Sequence, residues 1–576
     1  MPHANITSPS KTGGCHSHKL IDARVAKYSI TVSRATESAH PMPPAHAHSQ
    51  RATFPMVAEG NNIAIRTAIS YGCSMTMLFY FLWTAILAAS SVQCVPLGGE
   101  NATYDYIVVG GGTAGLAIAA RLAPHFSVAV VEAGGSYQAD TGNQSVVPYY
   151  SLNMPVLATD PATYQHEPLV DWDLISVPQQ GAARREVHYA RGKTLGGSSA
   201  LNTLAYVRAS RGAQDRWAEE VGDESYRWDS VLPFFKAGCQ LTPPDLEKRN
   251  AANATPSWDA DAFSGENGTA PCAEAAACVF WKVTGVAVDT QGTEYTLSAR
   301  KEVIVSGGVF HSPQLLMISG IGPSATLQSL GISVIKDLPG VGQNLWEQLS
   351  FNVLQAAGPY SQAGGYFSFE KIPESLRANF SQETRDKLAS FPEDWPEVQY
   401  IPFGFPTPSS SGGAQTVGTM SATLTAPLSR GNVTISSPSI KDPPVFDPAW
   451  LSDPADTELA VAAFKRCREA LADPSLDPIR VGAEFAPGAN VTTDEDILLY
   501  IRQTASTVWH ASGTCKMGKG EDVDPMAVVD SQARVFGVEG LRVVDASAFP
   551  FAVPVNTQGT VYMLAEKITA EILHGR

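Results

Sequence analysis

The stretch YDYIVVGGGTAGLAIAARLAPHFSVAVVEAGG, Tyr104 to Gly135, limits the possible folds more than any other part of the chain. Tyr106 to Val109 is an apolar run too short for a helix, the pattern of a parallel strand covered on both faces. Gly110, Gly112 and Gly115 follow as G-x-G-x-x-G, with Thr113 and Ala114 opening a helix. The first glycine allows a sharp turn, the second lets backbone approach a pyrophosphate, and the third lets helix and strand pack closely. Unpaired N–H groups and the positive dipole end at the helix N-terminus suit phosphate. A second apolar strand, Val128 to Val131, ends in Glu132, whose carboxylate can accept hydrogen bonds from a ribose diol. A glycine-rich turn alone does not account for strand, helix and acid together. Glutamate without neighbouring arginines points to an unphosphorylated ribose, as in FAD or NAD, and the spacing does not separate the two.

A length of 576 residues exceeds what one core usually fills, so two domains are expected. The charge of -16, with no block of Lys and Arg, argues against nucleic acid or an anionic membrane as partner. Residues 1–74 hold six of the twelve histidines, much Ser, Pro and Ala, and no sustained apolar periodicity; they are expected to be a disordered or misassigned N-terminal extension. Residues 75–94, MTMLFYFLWTAILAASSVQC, have an apolar run too short to span a membrane stably and ending in small residues. That is the make-up of a signal peptide starting at Met75 or Met77, with a signal anchor as the alternative. Seven Asn-x-Ser/Thr sites follow, at Asn101, Asn143, Asn253, Asn267, Asn379, Asn432 and Asn490, as in a glycoprotein of the secretory pathway, secreted or held at the vacuole or cell periphery. The five cysteines past Cys94 make no dense disulfide framework, and the Cys272–Cys278 spacing is not that of a zinc site; no metal is expected.

Small residues also dominate ARGKTLGGSSALNTLAYVRASRGAQDRW, Ala190 to Trp217, where Gly196 to Ser199 lets backbone lie flat against a planar ring. This segment resembles the first signature of the glucose-methanol-choline (GMC) oxidoreductases, FAD enzymes that oxidise alcohols. SGGVFHSPQLLMISGIG, Ser306 to Gly322, is similar to their second signature, and LRVVDASAFPFAVPVNTQGTVYMLAEK, Leu541 to Lys567, to their closing flavin segment. The likeness runs from Tyr104 to the end. It implies an α/β fold: a Rossmann-like FAD-binding domain in discontinuous segments (103–245, 280–345 and 505–576), a shortened insert (246–279), and an α+β substrate domain with an antiparallel sheet (346–504). By the same likeness FAD lies with its pyrophosphate on Gly110 to Gly115 and its ribose on Glu132. Asn202, Thr203, Leu204 and Ala205 then sit beside the isoalloxazine, and Asp545, Thr557 and Gln558 close over the ribityl chain and ring.

Alcohol oxidation removes a hydroxyl proton and transfers a hydride from the same carbon to flavin N5, so a base within hydrogen-bond reach is required. His510, in STVWHASGTCKM, matches the position of the family's base, and imidazole titrates in the right range. A lone histidine is otherwise most often a packed residue. Asn556 stands at the partner position; its amide can bind the substrate oxygen but takes no proton at neutral pH, so the base role falls to His510. His311 is expected to be structural. Residues 421–438 read as a hairpin about a Ser-Arg-Gly turn, followed by a helix from about Thr457 to Leu471. Two features depart from the family pattern: the stretch after Trp217 is shorter by several dozen residues, and Trp346, Glu347 and Gln348 stand where Gln-Asp-His is usual. The expected activity is FAD-dependent oxidation of a small primary or secondary alcohol, aromatic or polyketide-derived as in fungal secondary metabolism, with molecular oxygen or another acceptor taking the electrons. The alternatives are a non-redox cyclase or lyase on the same scaffold, and an inactive copy.

Overall fold

Strands far apart in the chain meet in a single sheet. The computed structural model describes residues 25–33, 99–145, 147, 158–239, 245, 247, 281–357, 366–408 and 414–575. Val25–Ser33 (β1), Ala102–Val109 (β2), Val128–Val131 (β3), Trp281–Thr290 (β4) and Thr293–Val305 (β5) lie in the order β1-β4-β5-β2-β3. Val538–Glu539 adds beside β4 and Leu541–Val543 beside β5. The parallel strands β2, β3 and β5 end level, with Val109 opposite both Val131 and Val305. Ile107, Val108, Val303, Ile304 and Val305 are wholly buried, which is why these strands are apolar without alternation. Because the three strands stop together, Gly110, Glu132 and Ser306 emerge side by side at the carboxyl edge, where open α/β sheets bind ligands.

Thr113–Leu122 (α1) is rich in alanine and leucine and buries Ala114, Gly115, Ile118, Ala119 and Leu122. Ile118 and Leu122 are fully buried, each stabilising the layer by about 1.5–3 kcal/mol. Gly308–Ile318 (α2) leaves β5 as α1 leaves β2, and the closing helix Gln558–Leu573 packs against α1. The sheet therefore draws its strands from four distant segments, 25–33, 102–131, 281–305 and 538–543.

A second, antiparallel sheet is built from the later part of the chain. Leu349–Ala357 (β6), Val398–Pro408 (β7), Ala414–Leu424 (β8) and Arg480–Ala486 (β9) are antiparallel in the order β7-β8-β6-β9, with Ser368–Glu370 outside β7. Ser506–Thr507 pairs with the start of β6, Leu349 opposite Thr507, and so launches the His510 loop from this sheet. Pro454–Leu471 forms the expected helix (α3), capped by the Asp453 side chain on Ala455 N–H.

Two expectations are corrected. The hairpin over 421–438 does not form: β8 pairs with β6 and β7, while Asn432–Thr434 pairs with Val445–Asp447. Asp456 of α3 accepts the N–H groups of Leu428 and Ser429 and the Ser429 hydroxyl, holding the connection open instead of letting it close. Residues 25–33 are not disordered but form β1, in which Tyr28, Ile30 and Val32 alternate with polar residues and Ile30 is buried. A short alternation from Tyr28 to Ser33 within a polar segment is a weak signal, and the edge of β4 satisfies it. The apolar segment 75–94 and most of the insert 246–279 lie outside the described residues. Among the described residues no helix is long and apolar enough to cross a membrane.

Candidate active site

A cavity of ≈ 250 Å³ is floored by the glycine turns and walled by the loop that carries His510 and the segment from Asn556 to Gln558. Gly110 has φ 109°, and a Cβ on it would stand 2.3 Å from the Ser306 carbonyl oxygen. On Gly115 a Cβ would stand 2.0 Å from the Gly110 oxygen, so this glycine serves the strand–helix contact rather than lining the cavity. Gly197, at φ 53°, presses its backbone on Gly112, where a Cβ would lie 2.7 Å from the Gly112 Cα. The two signature turns are thus held backbone to backbone. Glu132 faces the cavity while accepting N–H bonds from Gly111 (2.7 Å) and Gly134 (2.9 Å). Burial pushes its carboxyl up to about 7, against the pull of those amides.

The other cofactor residues form a connected polar wall. Thr113 and Ser199 hydroxyls are 2.7 Å apart, Gln558 Nε2 donates to Ser199 (2.9 Å), and Asn202 Nδ2 donates to Gln558 Oε1 (3.1 Å). Ala114, Thr203, Ala205 and Thr557 line the same cavity. Asp545 also lines it, but its carboxylate accepts from Gly308 N, Ser312 Oγ and Ser547 N, so it holds the β5–α2 turn in place. Leu204 is not brought in: it is 59% exposed at φ 64°, outside the lining, and its N–H is tied back to Asn202 Oδ1. A floor that any Cβ would fill, helix N–H groups and a carboxylate at the ribose position fit FAD, with Gly110 to Ala114, Glu132 and the Asn202–Gln558 wall as the groups that would hold it.

His510 sits at the far end, 9% exposed, with both ring nitrogens engaged. Nδ1 is 2.7 Å from Gln348 Oε1, and Nε2 is 3.2 Å from Asn556 Nδ2. Burial, then the charge of Arg191, lowers its pKa to about 3, so the ring is neutral in the working range. The small residues after it have separate causes. Ser512 pairs with the backbone of Trp346, and Gly513 takes φ 84° against Asn344. His311 lines the cavity as well, its ring 4.0 Å from that of Trp172. Of the aromatic residues 366–369, Tyr366 and Phe367 are exposed and none lines the cavity; Tyr360 lies outside the described residues.

Several neighbours carry no local sequence signal. Glu347 is buried and accepts hydrogen bonds from the hydroxyls of Tyr189 and Thr507 and from the His510 backbone N–H. Tyr189 in turn receives the Ala511 N–H (3.1 Å) and the Arg191 guanidinium (3.1 Å). Asp171 accepts from Arg191 N and lies 2.8 Å from His188 Nε2, while His188 Nδ1 lies 2.8 Å from the Ala158 carbonyl. Among the described residues Asp171, Asp173 and His188 are the group with metal-ligating atoms in reach, and these contacts occupy both imidazole nitrogens.

A dinucleotide cradle, with an amide and, on a loop that leaves an antiparallel sheet, an imidazole lining the same cavity, defines a flavin-dependent oxidoreductase. Models of the GMC oxidoreductase family match residues 104–262, 279–350 and 427–565, and the chain belongs to that family. Its enzymes are FAD-dependent. Patulin synthase from Penicillium expansum is 40% identical over 584 residues, covering 82% of this chain and 92% of that protein. Versicolorin B synthase from Aspergillus parasiticus is 38% identical, covering 83% and 89%. Since 584 aligned positions exceed the 82% of 576 residues covered here, the relative carries residues without counterpart in this chain. A fungal aryl-alcohol oxidase structure superposes with a TM-score of 0.64 at 22% identity, covering 82% and 99%, which shows the shared fold.

Proposed function

We propose that this chain oxidises a small alcohol, aromatic or polyketide-derived, to the carbonyl compound, with His510 as the base and Asn556 as hydrogen-bond donor to the substrate oxygen. The observation that carries this reading is the 3.2 Å pairing of His510 Nε2 with Asn556 Nδ2 in the cavity that holds the glycine cradle. A substrate hydroxyl entering between them gives its proton to the neutral imidazole and accepts from the amide. Bound FAD supplies the two-electron acceptor. Trp172, Ile440 and Trp509 add apolar wall, which suits a flat, largely apolar alcohol and excludes water.

Anaerobic addition of candidate alcohols to the FAD-loaded protein is expected to bleach the flavin band, and His510→Ala to slow that bleaching by roughly 100- to 10,000-fold. Unchanged bleaching in His510→Ala would sink the assignment. A second reading, a cyclase or lyase reaction without net redox, rests on the likeness to versicolorin B synthase; product formation without bleaching selects it. Passage through the secretory route remains our proposal from the acceptor sites, of which Asn101, Asn379 and Asn490 are exposed. A mass shift on glycosidase treatment of the native protein tests it.

A further inference from the structure

We propose that Gln348 is a positioning residue that fixes the tautomer of His510, so that the ring nitrogen facing Asn556 is the one that takes the substrate proton. This inference rests on the alcohol-oxidation reading and extends it to a residue that stands where the family pattern departs.

The direction of the hydrogen bonds follows from the ends of the chain they form. The Val553 carbonyl can only accept, so the group facing it at 2.8 Å is the Gln348 amide nitrogen. Gln348 Oε1 therefore faces His510 at 2.7 Å, and an oxygen there requires the proton to be on Nδ1. The neutral ring then keeps its lone pair on Nε2, toward Asn556 Nδ2 at 3.2 Å. Gln399 Nε2 donates to Asn556 Oδ1 at 3.4 Å, which turns the Asn556 amide the same way. Gln348 is wholly buried and Gln399 almost so, so water does not compete for either amide. Every link from Val553 to Gln399 has one consistent sense.

The substrate O–H proton passes to Nε2 as the alcohol becomes the carbonyl compound; bound FAD would supply the acceptor for the two electrons and the hydrogen lost from carbon. Gln348 Oε1 retains the Nδ1–H throughout and stabilises the imidazolium. The other charged or titratable groups beside the ring are Arg191, and Glu347 with Tyr189, which bind each other and the His510 and Ala511 backbone.

The test compares the full-length holoenzyme with Gln348→Leu and Gln348→Glu, using 15N-histidine NMR with His510→Ala to assign the signal, and anaerobic flavin reduction against pH. The wild type is expected to show Nδ1 protonated and Nε2 bare, before any substrate is added. Gln348→Leu should lose that preference and reduce its flavin about 100-fold more slowly. In Gln348→Glu one carboxylate oxygen keeps the acceptor at Nδ1 while the other faces the Val553 carbonyl with no proton to donate, so it should retain the tautomer, reduce its flavin faster than Gln348→Leu, and move its acid limb up by about one pH unit or more. Nε2 protonated in the wild type overturns the proposal, as does Gln348→Leu with unaltered tautomer and pH profile. If Leu fails to bind flavin, the wild-type signal and the Glu profile still decide. Failure of wild-type flavin to bleach with any alcohol, with Nδ1 protonated, would instead count against the alcohol-oxidation reading.

Discussion

Glu347 shows how one buried side chain can hold the loop that carries His510. Its two oxygens collect Tyr189, Thr507 and the His510 amide, and Tyr189 collects Ala511 and Arg191, so the loop is clamped on both sides of the imidazole. Burial raises its carboxyl to about 7, only partly opposed by the Tyr189 hydroxyl and Arg191. A carboxyl raised above its unfolded value stabilises the fold fully below about 4.5, and that contribution is lost as pH rises through about 7. Glu347→Gln mimics the protonated form. Its stability relative to wild type should therefore rise between about pH 5 and about pH 8, by on the order of 3 kcal/mol, read from urea midpoints; a difference independent of pH would refute the buried-charge account. None of this was legible in the sequence. His510 and Asn556 could be read from the family motif, whereas Tyr189 and Glu347 are 158 positions apart and meet only through packing.

At the scale of elements, the strand–turn–helix around Gly110 was legible because all of its requirements fall within the single stretch from Tyr104 to Gly135. Its glycines nevertheless do different work. A methyl on Gly110 collides with Ser306 at 2.3 Å, on the backbone where β5 meets β2, and also has to adopt φ 109°. Gly110→Ala is thus expected to cost about 2–4 kcal/mol of stability and to lose FAD together with it. Gly112 is open by comparison, the nearest atom to a Cβ being Gly197 Cα at 3.8 Å. Gly112→Ala should melt like wild type without cofactor and bind FAD at least about tenfold more weakly, because its methyl enters the floor where backbone meets pyrophosphate. Thermal melts of the FAD-free proteins with flavin titrations separate the two; equal melting temperatures for both variants would remove the distinction. The misread hairpin shows the limit of local reading. The alternation over 421–438 is real, but Asp456, a residue of α3, decides where the chain turns.

At the scale of the whole molecule, the N-terminal segment and the flavin sheet are tied to each other. β1 pairs along β4 from Val25 opposite Thr290 to Ser33 opposite Lys282, and Ile30 N–H donates to Ser319 Oγ beyond the end of α2. The sequence pattern placed the start of the working chain at Met75 or Met77, or its cut within 75–94; either event separates β1 from the sheet. Composition could not reveal this, since an edge strand needs only a few alternating β-branched residues and a partner supplied from elsewhere. Without β1 the ten-residue strand β4 presents an unpaired edge, a template for association with other chains. Protein expressed from Met75 is therefore expected to melt several degrees lower than the full chain and to form larger species at raised concentration, while still binding FAD, because the cradle lies on β2, β3 and β5. Calorimetry and light scattering of the two proteins side by side check this. Identical melting and monodispersity would show that β1 contributes nothing, and a native protein whose intact mass begins after Cys94 would show that the sheet works without it.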